Sequence, residues 1–521
     1  MIRMIAAALG LGLLASCGSG KSDAPRAEGT IIYARGDHTD SLDPPSTEWG
    51  GSAKIMVNVF ETLVSFSDDG IDLVPRLAER WERSEDGKTW TFHLRKGVKF
   101  HDGTPFDAAA VVFSFSRLLG KGEQLPRAIP YGASYNVVES IEAPDPLRVV
   151  FKLKEASAVF LMNLAMFPAG IVSPAAVRAS GAAKFATSPV GTGPLKFKEW
   201  QRDVKIVLLR NADYWGAPAK MERLIVLDVK DAKTAVQKLK NGEADVIDKL
   251  TLADIAAIES DPNLAMEYEV SMNVCYLTFN MGRDPDRDPN FRKAVAHALD
   301  RKKIVELAYH GKAEEAATIL PPSIFAPPAD LARYPYDPAK AKELLAEVKF
   351  PEGFESRLWH MAFDRPYVPE PDKLALVIQE QLSRVGLKVR LEGFNQDIYR
   401  RRTHDLDHPM LVMGWSADIA DPDNFMYALL HGESIGAREK PDGTNNSFFD
   451  HPEFNAIVKA AQSEVDPAKR RGMYDKALRI FQEELPVIPL VHVRQFAAVS
   501  KKVKYNHHPI EYRLWTIERL K

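Results

Sequence analysis

The chain has 521 residues, with 68 lysines and arginines against 71 aspartates and glutamates, and only two cysteines. Balanced charge without a basic tract excludes a nucleic-acid footprint, and two cysteines exclude a cysteine-built metal centre or a disulfide scaffold. A body of this length can bury the cores of two or three domains without covalent staples.

The first segment reads as an export signal. Arg3 precedes an apolar run from Met4 to Ala15, too short to span a bilayer. The run ends in Leu14-Ala15-Ser16-Cys17, the small-residue pattern that precedes a lipidated cysteine. Residues 1–16 are therefore expected to be cleaved, Cys17 to carry lipid, and residues 17–28 to form a flexible tether. Removal of Arg3 takes the formal charge from −3 to −4. No later window is long and apolar enough for a transmembrane helix.

Beyond the tether, turn chemistry punctuates residues 81–107. Asp86-Gly87 predicts a hairpin turn, residues 89–95 alternate around Trp90, Phe92 and Leu94, and Lys96-Gly97 and Asp102-Gly103 turn again. Asp107 then caps a helix over 108–118. Asp231 caps a helix that ends at Asn241-Gly242, before a short strand at 244–247. Cys275 sits in the apolar run Val274-Cys275-Tyr276-Leu277 and reads as a small buried hydrophobe. Asp337-Pro338 opens a further helix. Residues 374–385 are helical with Gly386 as the stop, and 387–391 read as a strand. Leu411-Val412-Met413 has the fully apolar pattern of a central strand. Asp466-Pro467 opens a helix that ends before Pro486. The loop 432–446 is polar and expected to be exposed. This alternation predicts an α/β fold of sheets covered by helices.

Several motifs together resemble the family 5 extracellular solute-binding proteins of bacterial ABC importers, among them the dipeptide- and oligopeptide-binding lipoproteins. They include Ser41-Leu42-Asp43-Pro44, Phe60-Glu61-Thr62-Leu63, and Pro75-Arg76-Leu77-Ala78-Glu79-Arg80-Trp81 running into Asp86-Gly87-Lys88-Thr89-Trp90. Pro189-Val190-Gly191-Thr192-Gly193-Pro194, Tyr214-Trp215-Gly216, Leu239-Lys240-Asn241-Gly242-Glu243-Ala244-Asp245 and Phe291-Arg292-Lys293-Ala294-Val295 follow in order. The resemblance covers essentially the whole chain after the tether. It implies a type II periplasmic-binding-protein fold: two lobes, an extra subdomain and a hinge of two crossing strands near 268–279 and 488–498. Lobe I would span 29–274, with the subdomain at about 70–187; lobe II would span 275–493, and 494–521 would return to lobe I. The implied protein is a monomer outside the cytoplasm, in the periplasm or at the cell surface, membrane-anchored through its lipid and serving permease subunits of an ABC transporter.

Two segments are similar to the dipeptide-binding branch. They are Leu358-Trp359-His360-Met361-Ala362-Phe363-Asp364-Arg365-Pro366-Tyr367 and Met413-Gly414-Trp415-Ser416-Ala417-Asp418. The resemblance implies that Arg365 takes a ligand carboxylate and Asp418 a ligand ammonium, with Trp415 and Tyr367 as candidate walls. Physically, each end of a zwitterion must meet an opposite charge when buried, and a guanidinium fork suits a carboxylate. Short peptides, dipeptides first, are the expected cargo. Relatives on this fold take haem, glutathione, nickel chelates, polyamines or cationic peptides, and an envelope sensor without transport is the alternative of another kind.

Other clusters read as structure. Asp421-Pro422 reads as a cap, His404-Asp405-Leu406-Asp407-His408 as an exposed loop rather than a metal site, and His507-His508 as a pair without a third ligand. Gly191-Thr192-Gly193-Pro194 lacks the Lys-Ser/Thr of a phosphate loop. His-Glu-x-x-His does not occur, and neither an enzyme nor a cofactor is expected.

Overall fold

The computed structural model describes residues 27–123, 125, 127–351, 354–403, 408–436 and 443–520. Cys17 and the residues 404–407 of the His/Asp cluster lie outside them. Among the described residues no helix is long and apolar enough to cross a membrane.

Two mixed sheets organise two lobes. The first has seven strands, in the order Leu264–Glu269, Gln495–Ser500, Val246–Ile247, Thr30–Arg35, Arg223–Asp228, Lys205–Arg210, Leu195–Gln201. The second has six, in the order Ala313–Glu315, Val487–Val493, Asn273–Thr278, Met410–Ser416, Ser356–Met361, Val389–Phe394. Asn273–Thr278 is buried at every position, as a strand flanked on both sides and covered on both faces must be. A third, four-stranded antiparallel sheet, Ala78–Arg83, Thr89–Leu94, Arg148–Leu153 and Val138–Asp145, builds a subdomain with its own apolar core. The turn at Gly87, with φ of +71°, joins its first two strands.

Local side-chain chemistry sets the helix starts. The carboxylates of Asp107, Asp231, Asp337 and Asp466 accept hydrogen bonds from the first-turn amides of Ala108–Leu118, Ala232–Lys240, Pro338–Glu347 and Pro467–Glu484. The Pro371–Arg384 helix stops before Gly386, whose φ is +91°. At Gly191 and Gly193 an added Cβ would lie 2.2 and 2.7 Å from the Val59 carbonyl oxygen. These glycines therefore serve close backbone packing. His101 secures the same segment through its ring, with Nε2 2.9 Å from the Gly193 carbonyl.

The hinge is two strands that change sheets. The outgoing strand leaves the first sheet at Glu269 and enters the second at Asn273. The returning strand leaves the second at Val493 and re-enters the first at Gln495. Asn273 stitches the crossing: its Nδ2 donates to the Val493 carbonyl at 2.8 Å, and its Oδ1 accepts from the Val493 amide at 3.0 Å. His492 Nδ1 donates to the Asn273 carbonyl at 2.7 Å. One apolar core runs from the first lobe into the second beside this hinge and contains Cys275. Burial pushes that thiol up to about 12, so it stays neutral.

The lobes meet. Glu48 pairs with Arg400 at 2.9 Å and Lys249 with Asp364 at 2.6 Å. The Ala158 amide donates to the Gln462 carbonyl at 2.8 Å. Ile419, from the six-stranded lobe, is 3% exposed and belongs to the subdomain's apolar core.

Two expectations are corrected. The described ends of loop 432–446 are largely covered: Asn445 is buried, and its Nδ2 donates to the carbonyls of His431 and Phe449. His408 is buried too, because its ring stacks on Phe448; its Nδ1 lies 2.8 Å from the Pro409 carbonyl.

Candidate functional site

A cavity of about 140 Å³ lies where the two lobes and the subdomain converge. Glu48 comes from the first lobe, Tyr131 and Phe167 from the subdomain, Ala417 and Asp418 from the second lobe, and Tyr512 from the C-terminal segment.

Asp418 reaches the cavity because a buried strand aims it there. Met410–Ser416 runs through the middle of its sheet, and the Ala417 amide donates to the Met272 carbonyl at 2.8 Å just past the strand end. Asn424 then fixes the turn: its Oδ1 accepts both the Asp418 amide and the Trp415 indole N–H, each at 3.0 Å. Trp415 thus braces the turn, and its half-buried ring packs against the second lobe's core.

The Asp418 carboxylate accepts from the Tyr131 hydroxyl at 3.1 Å. No cation lies within ion-pair distance of it among the described residues. Its side chain keeps some surface, but that surface faces the cavity, so protein desolvates it from all sides. Burial pushes its pKa up to about 6; hydrogen bonds from Tyr131 and Asn424 pull down, and the nearby Glu48 charge adds to the rise. The neighbouring Asp421 is committed elsewhere, in a two-pronged pair with Arg470 at 2.6 and 2.7 Å.

Arg365 does not line this cavity. It starts a tight turn, Arg365-Pro366-Tyr367-Val368, closed by reciprocal backbone hydrogen bonds of 3.1 and 2.9 Å. Its half-buried guanidinium lies 5.8 Å from the Tyr367 ring centre and has no carboxylate partner within ion-pair distance among the described residues. Tyr367 is 6% exposed and packs in the second lobe's core. It lies against Gly414, where a Cβ would come within 2.2 Å of the ring. Tyr367 therefore backs Arg365 instead of forming an open wall.

The acidic cavity and the Arg365 turn are connected through the first lobe. Tyr512 lines the cavity, and the Lys54 ammonium sits 4.6 Å from its ring centre. Lys54 pairs with Asp37 at 2.7 Å and with Asp248. The Asp37 charge is felt by Arg365. Tyr131, Asn424, Lys54 and Asp37 were not among the sequence-based candidates. Tyr131 meets its partner across 287 positions, a separation that no local pattern marks. None of the described residues forms a His/Cys/Asp/Glu group able to hold a metal ion.

Comparison with known proteins bears on the family and the fold. The family model for bacterial extracellular solute-binding proteins, family 5 Middle, matches residues 72–437. Heme-binding protein A of Haemophilus influenzae is 34% identical over 472 residues, covering 87% of this chain and 85% of that protein. The dipeptide-binding protein of Escherichia coli K12 is 32% identical over 498 residues, 91% of each chain. The crystal structure of the dipeptide binding protein from Pseudoalteromonas sp. SM9913 in complex with Met-Leu superposes with a TM-score of 0.82 at 30% identity, covering 94% of this chain and 100% of that one.

Proposed function

Because the chain belongs to the bacterial extracellular solute-binding proteins of family 5, we propose that its solute is a short peptide, a dipeptide first, captured between the lobes for delivery to the permease of an ABC importer. Asp418 receives the ligand ammonium. Arg365, farther along the cleft and backed by Tyr367, faces the ligand carboxylate, while Trp415 holds the Asp418 turn. The observation that carries this reading is a carboxylate inside an inter-lobe cavity with no cation of its own among the described residues. Such a group is costly until a ligand cation meets it.

The same feature weighs against haem, despite the similarity to a haem-binding relative. Asp418 lines the cavity without an ion-pair partner among the described residues, and its charge would repel a haem propionate placed there.

The anchoring reading joins this proposal: Cys17 carries lipid and the mature monomer is held at the outer face of a membrane. A Cys17→Ser variant released into the soluble fraction would support it; one retained in membranes would refute it. For the cargo, calorimetric titration with Met-Leu and a mixed dipeptide pool should give saturable one-site binding. Absence of binding by well-folded protein refutes the peptide assignment.

A further inference from the structure

The cavity beside Asp418 holds about 140 Å³. An apolar cavity of about 150 Å³ takes one benzene-sized group, so this one is too small for a whole peptide. An ammonium on Asp418 fixes which part goes in. The first side chain branches from the carbon that bears that nitrogen, so it enters the same cavity while the rest of the peptide continues along the cleft.

One wall is a helix face that the protein leaves uncovered. Gly50, Ala53 and Val57 lie three and four residues apart on the helix Gly50–Val59, hence on one face, and all three line the cavity. Ile55, Met56 and Val59, on the other side of that helix, pack into the first lobe's apolar core. Ala53 and Val57 join no apolar core among the described residues, and a Cβ added at Gly50 would meet no atom within 4 Å. Another wall is Phe66 and Met166, buried in the subdomain's core, with Ile510 packed against it. That core is close-packed, so this wall has a fixed shape.

The charges around the cavity are matched, except at Asp418. Glu48 pairs with Arg400 at 2.9 Å and Glu511 with Arg513 at 2.8 Å. No lysine or arginine lines the cavity among the described residues. With an ammonium on Asp418, no free carboxylate is left for a basic side chain and no cation for an acidic one. A charge shielded from water without a partner is strongly disfavoured, whereas an apolar side chain gains by leaving water.

We propose, resting on the peptide reading above, that this cavity selects the ligand's first residue. It takes an uncharged apolar side chain up to the size of a benzene ring and disfavours acidic and basic ones. Ala53 is the specificity-determining residue: its short side chain leaves the room that the ligand's side chain fills.

The test is calorimetric titration of the full-length protein with Met-Leu, Gly-Leu, Glu-Leu and Lys-Leu, which differ only in the first side chain. Met-Leu should bind at least tenfold more tightly than each of the other three. Ala53→Leu, a change that suits a helix, should weaken Met-Leu by tenfold or more and leave Gly-Leu within threefold. Ala53→Val provides the same comparison should the leucine variant fold poorly. A smaller preference for Met-Leu over any of the three in the unaltered protein overturns the proposal, as does an Ala53→Leu effect shared equally by Met-Leu and Gly-Leu. If no dipeptide binds to well-folded protein, the peptide reading has failed on its own account. The pocket is then tested by thermal unfolding with leucinamide and glycinamide: stabilisation by leucinamide alone, lost in Ala53→Leu, supports it, and equal shifts or none overturn it.

Discussion

Replacing Asp418 by asparagine tests the amine-binding end directly. The cavity raises this carboxyl from 3.8 to about 6, and each pKa unit is about 1.4 kcal/mol. Discounted for the surface it keeps, the cost of holding it ionised in the closed protein is about 2–3 kcal/mol. The sign follows from linkage: with its pKa raised on folding, the group's contribution to stability is greatest below pH 3.8. That contribution is lost as pH rises through about 6. At pH 7 the protein therefore bears the full cost until a ligand ammonium offsets it. Asp418→Asn removes both the cost and the grip. Peptide affinity at pH 7 should fall by about 2–5 kcal/mol, roughly 30-fold to several thousand-fold. Without peptide the variant should be more stable at pH 7 by up to about 2–3 kcal/mol, a gain that vanishes near pH 4. Titration calorimetry between pH 5 and 8 reads the first effect, and affinity for unaltered protein should weaken below pH 6 while the variant stays flat. Affinity within threefold of unaltered protein, or identical pH slopes, would refute the assignment of the amine to Asp418.

Three further outcomes follow from the packing. Asn273→Ala removes both side-chain hydrogen bonds to Val493 and leaves that buried backbone unpaired; it should cost about 1–3 kcal/mol in chemical denaturation, and an unchanged midpoint would contradict the stitching role. Gly414→Ala forces a methyl against the Tyr367 ring; destabilisation of about 1–3 kcal/mol is expected, and normal stability would show that the ring can yield. Ile419→Ala vacates part of the subdomain core and should penalise the closed form by about 2–5 kcal/mol, seen as a larger radius of gyration in small-angle scattering. An identical scattering curve would sink that expectation.

Features written in short-range chemistry were legible in the chain. The four aspartate caps act on amides two or three residues away, and the apolar run around Val412 has the pattern of a covered strand, so helices and the central strand were readable. Family motifs then supplied the two-lobed topology. What escaped was partnership across distance. Tyr131 meets Asp418 across 287 positions and Lys54 meets Asp248 across 194; no local pattern marks such pairs. From sequence alone Trp415 and Tyr367 fit a core position as well as a cleft wall. Whether an indole donates inward to Asn424, or a phenol ring lies on a glycine, depends on packing that spacing alone does not encode. The loop 432–446 looked exposed for a similar reason: its asparagine is polar, but Asn445 spends that polarity on buried carbonyls.

Ile419 plugs the second lobe into the subdomain's apolar core. Opening the cleft must draw an isoleucine from an apolar core into water, which costs about 1.5–3 kcal/mol for such a side chain. Cargo therefore need not supply all the work of shutting the cleft, since the jaw is spring-loaded by the protein itself. The contact favours the joined lobes even before cargo arrives.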